Sequence, residues 1–99
     1  MALEEKYVKV FRNECDYLSY VVLDNLRSIS IQPQNIESLK RLVQTADTII
    51  GDSRFVGDKA LENAAKMVVQ CFTGIKDARD KSEDLKFLIR VFEAIIIQN

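Results

Sequence analysis

The chain has 99 residues, 14 Lys and Arg, 15 Asp and Glu and no histidine, with a formal charge of −1 and 47% hydrophobic residues. That length suits one small domain over residues 1–99, with no room for a second core, and the apolar share is too high for a disordered chain. Without an imidazole, catalytic triads, histidine phosphorylation and His-ligated zinc are excluded, and the balanced charge argues against a polyanion binder.

Three glycines and one proline leave few turns, which argues against a β-sandwich or barrel. The opening MALEEKYVKVF is charged within its first six residues and has no apolar core segment, and no apolar run approaches the ~20 residues of a membrane span. The expectation is a cytoplasmic chain without a membrane partner. Cys15 and Cys71 fall on apolar stripes and read as two buried, reduced thiols. No C-x-x-C is present, so neither a metal nor a cofactor is expected.

The first helix is expected from about Leu3 to Arg27. Val8, Phe11, Cys15, Leu18, Val22 and Leu26 recur at helical spacing, whereas Lys6, Lys9, Arg12, Asn13, Asp16, Asp24 and Asn25 point elsewhere. Ser28 to Asn35 is polar, alternating and carries the proline, and reads as a connection. A second helix starts near Ile36, with Asn35 as N-cap and Glu37 in its first turn. Its apolar positions are Leu39, Leu42, Ala46, Ile49 and Val56, flanked by Val43 and Ile50, and Gly57 ends it.

Asp58 caps a third helix, expected over Lys59 to Thr73, with Leu61, Ala64, Ala65, Val68, Cys71 and Phe72 inward. Gly74 to Lys81 reads as a solvated connection. Ser82 is the expected N-cap of a fourth helix, with Glu83 and Asp84 in its first turn. Leu85, Leu88, Ile89, Phe92, Ile95 and Ile96 line that helix, and Phe87, Val91 and Ile97 widen its apolar arc, so it is either central or covered. The acidic pairs Glu4-Glu5 and Glu83-Asp84 read as solvated helix starts, and Tyr7, Tyr17 and Tyr20 as half-buried packing. Four amphipathic helices on short connections predict an all-α, antiparallel up-down four-helix bundle.

Gly51 stands inside the second helix, where glycine costs about 1 kcal/mol relative to alanine. The core stripe of that helix centres on Leu39, Leu42, Ala46, Ile49 and Ser53, and Asp47 and Gly51 lie more than about 100° away. Lys40, Gln44 and Arg54 share their side, with Val43 and Ile50 at its border. An outward glycine points either to a close-approaching partner or to nothing in particular.

The run Ala46-Asp47-Thr48-Ile49-Ile50-Gly51-Asp52-Ser53-Arg54-Phe55-Val56-Gly57 resembles the signature helix of histidine phosphotransfer (HPt) domains, roughly A-H-x-L-K-G-x-A/S-x-x-L/I-G. Ala46, Ile49, Gly51, Ser53, Val56 and Gly57 match. Leu61-Glu62 and Ala64-Ala65 resemble the next helix of that family, and the likeness extends more weakly over the chain as an HPt-like bundle. The resemblance implies a domain that docks a response-regulator receiver or a histidine kinase domain. It also sets two departures: Asp47 stands where the family carries its phospho-accepting histidine, and Ile50 where it carries a lysine.

A carboxylate is negative at neutral pH and repels an incoming phosphoryl group. Receiver aspartates overcome this with Mg²⁺ and a lysine, and neither is supplied beside Asp47. Ile50 removes a compensating charge and adds apolar contact. The expectation is a pseudo-HPt, not an enzyme, that binds its partner through Lys40, Val43, Gln44, Asp47, Ile50, Gly51 and Arg54, the two cations pairing with an acidic pocket. One alternative is a phosphatase of phosphorylated receivers, in which Gln44 and Asp47 orient the attacking water. Another is a homo-oligomeric structural bundle, a homodimer formed through Phe87, Val91 and Ile95 to Ile97. Lys and Arg are scattered among acids, so nucleic acid is not an expected partner.

Overall fold

A computed structural model describes residues 2–98, and side-chain environments from residue 5 onward. The chain is all-helical among the described residues: α1 (Ala2–Ile31), α2 (Ile36–Val56), α3 (Lys59–Phe72) and α4 (Ser82–Gln98), with a 3₁₀ turn over Arg79–Lys81. This is compatible with a four-helix bundle. Helix α1, about 45 Å long at 1.5 Å per residue, runs the length of a body 48 × 23 × 17 Å. It packs on α2 and α4, α2 packs on α3, and α3 touches α4 only lightly.

The core follows the stripes read from the sequence. Val22, Leu26 and Ile29 of α1, Leu42, Ala46 and Ile49 of α2, Ala65 and Val68 of α3 and Phe92 of α4 are fully enclosed. The N-caps of α2 and α3 and the stop of α2 are also as expected. Asn35 accepts from the Ser38 N–H at 3.1 Å, and Asp58 accepts from the Leu61 N–H at 3.1 Å. Gly57 closes α2 at φ 78°, its N–H donating to the Arg54 carbonyl, a conformation that favours glycine.

Several expectations need correction. Helix α1 continues through Ser28 to Ile31, and only residues 32–35 connect. The serines do not break it, because Ser30 Oγ donates back to the Leu26 carbonyl at 3.0 Å and Ser28 Oγ meets Ser38 Oγ at 3.2 Å. Burial of Ile29 then holds the added turn. Asn25 is buried rather than outward, its Nδ2 donating to the Val21 carbonyl at 2.8 Å. Tyr7, Tyr17 and Tyr20 are 52%, 68% and 56% exposed, not half-buried.

Helix α3 stops at Phe72. The link to α4 is not wholly solvated: Ala78 is buried, and its N–H donates to the Pro33 carbonyl at 2.8 Å. Asp77 ties the same two connections together. It accepts from Arg79 Nε at 2.9 Å and from Gln34 Nε2 at 3.0 Å, and these bonds hold its carboxyl down at about 2. Ser82 is not an N-cap, since its backbone is already helical (φ −54°, ψ −45°) and α4 continues from the 3₁₀ turn. On α4, Leu85, Leu88 and Phe92 are buried, Ile89, Val91, Ile95 and Ile96 are half-buried, and Phe87 and Ile97 are exposed. Glu5, Glu83 and Asp84 are solvated, and the Glu4 side chain lies outside the described residues.

Cys15 is buried and Cys71 half-buried, both as free thiols. Burial first, then the carboxylates of Asp52 and Asp58, push the Cys15 thiol up to about 11, and burial also raises Cys71. Thiols raised in this way are poor nucleophiles.

Candidate functional site

Helix α2 is dressed differently on its two flanks. Toward α1 it presents Ser38, Thr45 and Asp52, all buried. Its other side carries the residues singled out in the sequence: Lys40, Gln44, Asp47, Gly51 and Arg54 are exposed and Val43 and Ile50 half-buried. One helix brings all seven onto one side because they recur at spacings of three and four. Asp47 lies among them, and its side chain has no hydrogen bond or ion pair with any described residue. At Gly51 a Cβ would meet nothing within 4 Å, so no packing among the described residues calls for glycine there.

Arg54 is not the free cation that the sequence suggests. Its Nε donates to Glu62 Oε2 at 3.2 Å, and its Nη2 lies 3.1 Å from the same oxygen. Glu62, on α3, is 5% exposed. It also draws Lys66 to 3.0 Å and Lys59 to 3.8 Å. The Lys66 hydrogen bond, more than any other contact, holds the Glu62 carboxyl below its ordinary range, against the opposing effect of burial. The face is therefore closed at one end by one carboxylate shared among three cations. Lys40, at its other end, has no ion pair among the described residues. Sequence reading noted Glu62 only for its likeness to a family helix. The available signal was its i+4 spacing to Lys66, which brings opposite charges together on a helix.

Nothing in the sequence singles out Asp52, yet among the described acids it departs furthest from its ordinary state. It is 8% exposed, and its Oδ2 has no donor among the described residues. The group against it is another carboxyl, Glu14 of α1. Two carboxylates can only accept, so this contact becomes a hydrogen bond when one of them holds a proton. Burial first, then the bond to and the charge of Glu14, push the Asp52 carboxyl up to about 7. Beyond this pair, α1 and α2 meet through Phe11 and Phe55, ring centroids 4.9 Å apart.

No group of three or more Cys, Asp or Glu side chains among the described residues is arranged to hold a metal ion. No helix among them is long and apolar enough to cross a membrane. No family model, no curated protein and no solved structure matches this chain.

Proposed function

We propose that this chain is a non-catalytic, HPt-like docking module of a two-component or chemotaxis-type phosphorelay, built as an antiparallel up-down bundle. It binds a receiver or histidine kinase domain without relaying phosphate. The observation that carries the reading is the open patch at Asp47 and Gly51. A glycine in the body of a helix, with empty space where its Cβ would be, costs stability and receives nothing from the fold. A partner that packs its own surface against that bare backbone supplies a reason.

Asp47, exposed and unpaired among the described residues, stands where the resembled family carries its imidazole. Val43 and Ile50, half-buried at the border, supply apolar anchoring. Arg54, already shared with Glu62, shapes the rim, which leaves Lys40 as the cation of the face without an ion pair among the described residues.

The test is a binding screen of the purified protein against phosphorylated and unphosphorylated receiver domains and kinase ATP-binding domains. Binding is expected from the wild type and at least tenfold weaker binding from Gly51→Gln, with unchanged helical circular dichroism. A Gly51→Gln protein that binds equally well overturns the placement of the face. The double change Asp47→His, Ile50→Lys is expected to accept phosphate from a phosphorylated receiver. A folded, binding variant that accepts none removes the alignment of Asp47 with the relay position. Faster receiver dephosphorylation by the wild type, lost in Gln44→Ala, would instead establish the phosphatase alternative.

A second reading, self-association through α4, is favoured by Phe87 and Ile97, which are 53% and 82% exposed. Sedimentation across a hundredfold concentration range should then give a dimer mass that Phe87→Asp lowers to 11.3 kDa. A monomer at every concentration excludes it.

A further inference from the structure

Next to the Asp47 face, the first turns of α2 and the chain leaving α3 enclose a groove of about 610 Å³. Leu39 and Phe72, both buried, form its floor, and Ile36, which is 40% exposed, Val43 and Ile75 add apolar wall. Lys40 and Lys76, both exposed, also line it. Neither lysine has an ion pair among the described residues, and no Asp or Glu lines the groove. The volume is that of a small-molecule site: concave, mostly apolar, with a few charged groups that fix orientation.

We propose that this groove binds one monomeric amphiphilic carboxylate, its alkyl chain along Leu39, Val43, Phe72 and Ile75 and its head met by Lys40 and Lys76. The charge decides the head. Two ammonium groups without counter-charge beside an apolar wall favour an anion over a neutral or cationic group. The length decides the body. The α2 wall runs from Ile36 to Gln44, about 12 Å of helix, which is shorter than a typical partner helix of three turns and suits a single extended chain. The concavity selects a free amphiphile rather than a bilayer surface. The site stands independently of the phosphorelay reading, although Lys40, Val43 and Gln44 border both.

Decanoate titrated into the whole protein, followed by calorimetry and by amide chemical shifts, tests the site. One saturable site is expected, with the largest shifts at Ile36, Val43, Phe72 and Ile75, and binding of decanol and decylammonium at least tenfold weaker. The pair Lys40→Gln, Lys76→Gln removes only exposed charge, so the fold should be unchanged. It should weaken decanoate about five- to twentyfold and leave decanol unaffected, the range expected for two solvent-exposed charge pairs. The proposal is overturned by no saturable binding, by decanoate binding no better than decanol, or by indifference to the double lysine change. It is equally overturned by shifts centred on Tyr17, Tyr20 or Phe87, or by binding to phosphatidylserine vesicles without uptake of monomeric decanoate.

Discussion

Glu62 and Asp52 are both carboxyls taken almost wholly out of water, 5% and 8% exposed, and the protein treats them in opposite ways. On the α3 side, Glu62 meets Arg54, Lys59 and Lys66, and its charge is favoured. On the α1 side, Asp52 meets Glu14, its Oδ2 has no donor among the described residues, and its charge is resisted. Burial alone raises a carboxyl. The neighbours decide whether that tendency is reversed, as at Glu62, or reinforced, as at Asp52. One helix face is thereby tied together electrostatically, while the other stores a charge conflict at neutral pH.

The largest effect should come from removing the conflict. Asp52 has a raised carboxyl in the folded state, so its stabilising contribution is complete below about pH 4. It is lost as pH rises toward 7. Asp52→Asn is therefore expected to stabilise the fold by about 2 kcal/mol at pH 8, less than the full shift implies because Glu14 is exposed to solvent. At pH 4 the gain should disappear. Urea unfolding at both pH values measures this, and an equal gain at each would mean that packing rather than charge is responsible.

The next effect has the opposite sign. Glu62 is held below its ordinary range, so its contribution is present above about pH 4.5 and is lost as the solution becomes more acid. The two contributions overlap only at about pH 4–4.5, so together they place maximal stability there. Glu62→Gln should destabilise the protein at pH 7 and flatten the acid limb below that maximum. A variant that keeps the wild-type acid limb would show that the three cations are not held by this carboxylate.

The smallest effect probes the open patch between these extremes. Gly51→Ala should raise stability by about 0.5–1 kcal/mol, because alanine is the better helix former and its methyl enters empty space. Thermal unfolding reads this directly. A neutral or destabilising result would mean that the fold itself uses the glycine, and would remove the argument for a partner at that position.

Much of this architecture was legible in the residues. Four stripes at helical spacing, the caps at Asn35 and Asp58 and the stop at Gly57 located α2 and α3 closely, because each is a local signal carried by a few adjacent residues. The side of α2 that carries Asp47 and Gly51 was legible for the same reason: helical periodicity fixes direction once the core stripe is known. The errors fell where distant contacts overrode local ones. Ser28 to Ile31 alternates like a connection, but Ile29 is needed in the core and the serine hydroxyls find hydrogen-bond partners.

What the amino-acid order determined by itself was the helical class, the inward residues and the outward position of Asp47, since these follow from spacing and composition. Tertiary structure alone decided which charges meet. Glu62 and Arg54 are eight residues apart and Asp52 and Glu14 lie on different helices, so no periodicity links them. Lys40 and Lys76 share a groove only because α3 packs on α2 and brings the segment that follows it alongside. Coulomb energy and desolvation depend on distance and on excluded water, and both are set when helices pack, after the local signals have been spent.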